Sequence, residues 1–239
     1  MLEAHNLSAR FRGRAILDGV TLSVEPAKVV GLLGPNGAGK TTCFRAILGQ
    51  VALLGGRVIL HGEDISSLPM HLRARRGIGY LPQEASIFRG LTVADNILCV
   101  LQMRRDLSRG ACRDELEKLM ADLRITRLAD SSTAVLSGGE RRRCELARAL
   151  AANPRYMLLD EPFAGVDPVA VGEIQRLVAY LTTRGIGVLV TDHNVREALK
   201  LCDSVYTLSE GRVLASGSPD EIIKNEAVRE LYLGDTFEL

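Results

Sequence analysis

The sequence predicts an α/β protein with a mainly parallel core sheet, an edge sheet at the N-terminus and a helical insert. Three observations carry that expectation. Short apolar runs alternate with segments of helical period, one of those runs ends in a glycine-rich loop, and 239 residues at 46% hydrophobic and 25% charged can bury a full core.

Leu2 to Phe11 and Leu17 to Val24 read as strands of the edge sheet, and Val29 to Leu33 is a short apolar run that stops at Gly34, as a buried strand would. A helix follows from Thr41 to about Gly49. Arg57 to Leu60 and Ile78 to Leu81 read as two further strands, separated by a polar segment with Asp64, Ser66, Ser67 and Pro69. From Thr92 to about Arg124 the period becomes helical, through Val93, Ile97, Val100 and Leu101 and then Leu116, Leu119, Met120 and Leu123. Alternation then resumes: helix Gly138 to Ala152, strand Tyr156 to Leu159, helix Pro168 to Arg184, strand Gly187 to Thr191, helix Val195 to Leu201. The tail reads as a hairpin about Glu210-Gly211, followed by short helices from Pro219. Strands alternating with helices imply βαβ units, with ligands at the carboxyl ends of the strands.

A net charge of +1 gives no overall reason to expect a nucleic-acid or anionic-lipid surface. Apolar stretches such as Ala46 to Leu54 fall below the roughly 20 residues that span a bilayer, so no membrane anchor is expected. Glu3, His5 and Asn6 interrupt the start where a signal peptide needs an apolar run. Five cysteines, at 43, 99, 112, 144 and 202, contain no C-x-x-C pair, which argues against a disulfide framework or zinc site and for a reducing cytosol.

Gly34-Pro35-Asn36-Gly37-Ala38-Gly39-Lys40-Thr41 fits G-x-x-x-x-G-K-[ST] between an expected strand and an expected helix. The glycines let backbone N–H groups converge on phosphate oxygens, and the helix start turns its positive dipole end toward the same anion. Lys40 is expected on the β and γ phosphates of ATP, Thr41 on Mg²⁺, and Thr42 beside them. Tyr156 to Glu161 is an apolar strand ending in two acids: Asp160 to hold Mg²⁺, Glu161 to polarise the attacking water.

Leu136-Ser137-Gly138-Gly139-Glu140 resembles the signature motif of ATP-binding cassette (ABC) ATPases. Read physically, Ser137, Gly138 and Gly139 form a second glycine-rich helix start able to present N–H groups and a hydroxyl to phosphate. Further family elements appear in order: Gln83 in Gly79 to Gln83 resembles the Q-loop, Gly165 to Pro168 the D-loop, and His193 the switch histidine. The resemblance implies a P-loop NTPase cassette over residues 1–239, with core and antiparallel β subdomain in 1–90 and 152–239 and a helical subdomain at about 91–151. It implies a head-to-tail homodimer in which the signature of one copy closes on the nucleotide of the other. It also places Gln83 near Mg²⁺ and the hydrolytic water, His193 on the γ-phosphate, and Phe11 on adenine, where an aromatic late in a strand could equally be core. Glu140 stands where Gln is commoner, a change not expected to abolish activity.

Within the family, the stretches Arg73 to Phe88, Ser137 to Arg143, Phe163 to Pro168, Thr191 to Glu197 and Tyr232 to Phe237 closely resemble the ATPases of lipopolysaccharide exporters. That resemblance implies a Gram-negative inner membrane, peripheral attachment at its cytoplasmic face, and paired permease subunits of the LptF and LptG type received in a groove near Phe88. Arg141 to Arg143 read as a solvated or interface-facing helix start, not a nucleic-acid site, because no basic stripe with interleaved aromatics extends from them. The alternatives are the ATPase of a branched-chain amino-acid importer and a non-transport ABC protein.

Overall fold

The computed structural model describes residues 1–11, 13–164, 168–234 and 237. The side chain of Phe11, the D-loop residues Gly165, Val166 and Asp167, and Asp235 and Thr236 of the tail lie outside the described residues. Two compact units divide the chain: Met1–Ile78 with Arg155–Leu239, and Gly79–Pro154.

In the first unit, β1 (Leu2–Phe11), β2 (Arg14–Val24), β4 (Gly55–Leu60) and β5 (Glu63–Asp64) form an antiparallel sheet in the order β2-β1-β4-β5. The second sheet holds β3 (Val29–Leu33), β6 (Ile78–Leu81), β7 (Tyr156–Asp160), β8 (Gly187–Thr191), β9 (Ser204–Ser209) and β10 (Arg212–Gly217), in the order β10-β9-β3-β8-β7-β6. The chain leaves the first unit after Ile78, inside β6. Every residue of β3, β7 and β8 is buried. Such unbroken apolar runs belong to parallel strands covered on both faces, and β9-β3-β8-β7 are parallel throughout.

Helix α1 (Lys40–Leu48) buries Cys43, Phe44, Ala46, Ile47 and Leu48. A fully buried Phe or Ile contributes about 1.5–3 kcal/mol over leaving it in water, so this face fixes the helix that follows the glycine loop. Helix α2 (Met70–Arg75) and β5 fill the polar segment between the two expected strands. Their anchor is Arg73, only 3% exposed, which donates to the carbonyls of Ala46, Ile47, Ser66 and Leu68 at 2.7–2.9 Å. β2 begins at Arg14, three residues before the apolar run, because backbone pairing with β1 continues into the turn.

The second unit contains α3 (Val93–Leu101), α4 (Arg109–Asp122) and α5 (Gly138–Ala151), whose apolar stripes supply Val93, Ile97, Leu101, Leu119, Met120, Cys144, Leu146 and Leu150 to its core. Returning to the first unit, α6 (Pro168–Thr183) and α7 (Val195–Leu201) alternate with the strands, and α8 (Pro219–Lys224), α9 (Glu226–Val228) and a π-helical turn at Arg229–Leu233 end it. No helix among the described residues is long and apolar enough to cross a membrane.

Candidate nucleotide site

Three parallel neighbours, β3, β8 and β7, set the site in the first unit. β3 runs straight into Gly34, β7 ends at Asp160, and β8 ends at Thr191, which is in register with Asp160. Their carboxyl ends therefore open side by side, as ligand sites in parallel α/β sheets do. Gly34, Gly37 and Gly39 have φ of 142°, 81° and 107°, values that favour glycine. A Cβ on Gly39 would stand 2.8 Å from the Ile16 carbonyl, and one on Gly34 would overlap the Leu208 carbonyl, whereas none would meet anything within 4 Å at Gly37. Gly39 caps α1 with no side-chain bond and no acid follows in the first turn, so the leading N–H groups of the helix stay available to an anion.

Lys40 is buried, and its Nζ donates to the Gly34 and Pro35 carbonyls at 2.6 and 2.9 Å. Burial pulls its pKa below the ordinary lysine value, opposed by Glu161, Asp160 and Asp192. Asp160 is 7% exposed and its Oδ1 accepts the Thr191 hydroxyl at 2.9 Å. Glu161 turns the chain with φ 45° and donates its N–H to the Thr191 carbonyl at 2.9 Å. His193 Nδ1 lies 3.4 Å from Glu161 Oε2. The fold thus brings Lys40, Asp160, Glu161 and His193 to one end of one sheet, with Pro35, Asn36, Ala38, Thr41 and Thr42 in the loop and helix start beside them.

Gln83 and Ser137 to Gly139 belong to the second unit. Ser137 caps α5 in a reciprocal box: its Oγ accepts the Glu140 N–H at 3.3 Å, and Glu140 Oε2 accepts the Ser137 N–H and hydroxyl at 3.1 and 2.8 Å. These bonds hold the Glu140 carboxyl below the ordinary glutamate value. The segment around Gln83, from Pro82 to Phe88, is tied down within its own unit. Pro82 accepts from Arg142 at 2.9 Å, Ser86 N–H donates to Glu145 at 2.7 Å, and fully buried Asn96 bonds both the N–H and the carbonyl of Phe88, at 2.9 and 3.1 Å. Phe88 itself is 51% exposed, with the Arg148 guanidinium 4.6 Å from its ring centre.

Arg142 is therefore a structural member of this unit and not part of a solvated face; its side chain is 17% exposed. Sequence reading missed Asn96, Glu145, Arg148 and Asp192. Asn96 and Glu145 left one trace, polar residues at apolar positions of a helical stripe. Asp192 is wholly buried and accepts the N–H groups of Phe163 and Asn194, each at 2.7 Å.

The family model described as ABC transporter matches residues 17–164. The chain belongs to the ABC transporter family. A second model, for branched-chain amino acid ATP-binding cassette transporters, matches residues 212–238 of this cassette. Among full-length relatives, the lipopolysaccharide export system ATP-binding protein LptB of Escherichia coli K12 is 54% identical over 238 residues, covering 100% of this cassette and 99% of the relative. The protein of the same name from Haemophilus influenzae is 50% identical, with the same coverage. In structure, the ADP conformation of an ATP-binding cassette of an ABC transporter superposes with a TM-score of 0.86 at 28% identity, over 98% of this chain and 99% of that one. The mixed α/β cassette fold is thereby shown, and the family match and full-length relatives show nucleotide binding and ATPase activity.

Proposed function

We propose that this cassette is the ATP-hydrolysing subunit of a lipopolysaccharide exporter, working as two copies under paired permease subunits of the LptF and LptG type. The observation that carries hydrolysis is the Glu161–His193 pair, 3.4 Å apart at the strand ends beside the phosphate loop. Export is supported by identity of 50–54% across the whole chain to relatives named for that task. The resemblance supports attachment at the cytoplasmic face of the inner membrane.

The phosphates of ATP replace the Gly34 and Pro35 carbonyls as partners of Lys40 and take up the free N–H groups of α1. Glu161 orients the attacking water and accepts its proton as the oxygen bonds to the γ-phosphorus and the bond to ADP breaks. His193 contacts the γ-phosphate and steadies that water. The Thr41 hydroxyl and the Asp160 carboxylate are hard oxygen donors that would hold Mg²⁺, whose charge would offset that of the phosphates. For Gln83 as a further ligand, for the trans placement of Ser137, Gly138 and Gly139, and for Phe11 on adenine, the support is the family resemblance. Phe88, held rigidly yet exposed, is suited to receive a permease helix in an apolar contact.

The test is Glu161→Gln. Turnover should fall about 100-fold or more, and ATP should trap a stable dimer; unchanged turnover with no dimer would sink the assignment. The match of residues 212–238 to a branched-chain amino-acid cassette model names the competing reading, an importer ATPase, which the full-length relatives do not favour. Copurification decides between them: permeases with bound lipopolysaccharide for the first, a solute-binding-protein system for the second.

A further inference from the structure

We infer that Asp192 is a positioning residue that locks the proposed base and the switch histidine into one unit. The inference rests on the proposed roles of Glu161 and His193. Asp192 is fully buried, and both of its oxygens are engaged by loops that carry those two side chains. Oδ2 accepts the N–H of Phe163, two residues beyond Glu161, and Oδ1 accepts the N–H of Asn194, next to His193, both at 2.7 Å. The first loop is strained at Glu161, whose φ of 45° a non-glycine residue rarely adopts. That conformation persists because its surroundings over-determine it: the Glu161 N–H on the Thr191 carbonyl at 2.9 Å before the bend, and the Asp192 carboxylate on Phe163 after it.

The same carboxylate shapes the histidine. His193 Nδ1 faces two acids, Glu161 Oε2 at 3.4 Å and Asp192 Oδ1 at 3.7 Å. Two carboxylate oxygens near one ring nitrogen favour the proton on it, so neutral His193 is expected as the Nδ1–H tautomer, with the Nε2 lone pair available as an acceptor. Asn194 extends the lock outward. Its side chain caps α7 on the Glu197 N–H, and Glu197 Oε2 accepts from Gln175 of α6 at 3.1 Å. Asp192 thus ties the turn after β7 to the turn after β8, where a small shift of either separates base from histidine.

An amide at this position offers one acceptor for two buried N–H donors and turns its own NH₂ against the other. Asp192→Asn should therefore lower kcat about tenfold or more while the ATP KM stays within about twofold, because the phosphate loop is untouched. A kcat within about twofold of the wild type would overturn the inference. Should the variant not fold, the wild-type chain decides: ¹⁵N shifts of the His193 ring at alkaline pH should report the Nδ1–H tautomer, and an Nε2–H tautomer would refute it. Glu161→Gln and His193→Ala separate the layers. If neither lowers turnover, the reading of the pair fails; if both do and Asp192→Asn does not, this inference fails alone.

Discussion

Two helices of this cassette have glycine at their start, Gly39 as the cap of α1 and Gly138 as the first residue of α5, and they are finished in opposite ways. α1 opens on Gly39 with no side-chain cap and no acid in its first turn, while α5 opens on Gly138 behind a complete capping box of Ser137 and Glu140. The glycines differ too. A Cβ on Gly39 would strike the Ile16 carbonyl at a positive φ, whereas one on Gly138 would meet nothing within 4 Å. Gly39 is demanded by the chain's own fold. Nothing within the described residues demands Gly138, which is compatible with the proposed placement of this turn against the nucleotide of a second copy.

The strongest attempt to break this contrast is Lys40→Ala. It should lower kcat/KM for ATP by about 100-fold or more, since Lys40 sits inside the proposed cradle, and nucleotide titration of the isolated chain should show the lost affinity directly. Exchanging the glycines is the next test. Gly39→Ala should destabilise the fold by at least about 1 kcal/mol from the left-handed strain alone. Gly138→Ala should leave the melting temperature unchanged or about 1–3 °C higher, yet cut turnover about tenfold. Equal melting losses for the two would end the distinction.

A smaller effect tests the box itself. The Ser137 hydroxyl proton is held by the Glu140 carboxylate at 2.8 Å, and an incoming phosphate must compete with that charge. Glu140→Gln should lower the ATP KM about threefold, the scale of one unit charge several ångströms away in a wet site. The smallest effect is in pH. Because the folded value of Glu140 is lowered by its bonds to Ser137, its stabilisation is present above the ordinary value of 4.5 and is lost as pH falls through the folded value. Melting curves from pH 6 downward should show that loss in the wild type and not in Glu140→Gln.

Most of the fold was legible because its signals are local. Val29 to Leu33, Tyr156 to Asp160 and Gly187 to Thr191 are uninterrupted buried runs with turn residues at their ends, and Gly34 to Thr41 carries its own chemistry. What escaped is held by distant partners. α2 has no side-chain cap, and it is tied to α1 through Arg73, which in Arg73-Ala74-Arg75-Arg76 gives no local sign of burial. At the site, Glu161 and His193 are named by motif, but Asp192 is not, because its partners Phe163 and Asn194 meet only once β7 and β8 pair.

The grip of Arg73 on the far end of α1 has a measurable counterpart in hydrogen exchange. Its guanidinium takes the carbonyls of Ala46 and Ile47, while the amides of Lys40, Thr41 and Thr42 stand ahead of the first helical bond, from Cys43 N–H to the Gly39 carbonyl. Over nine residues the helix should therefore show a steep gradient, with deuterium entering the first turn quickly and the last turn slowly. ATP should flatten that gradient from the leading end alone, making one short helix a ruler for nucleotide occupancy.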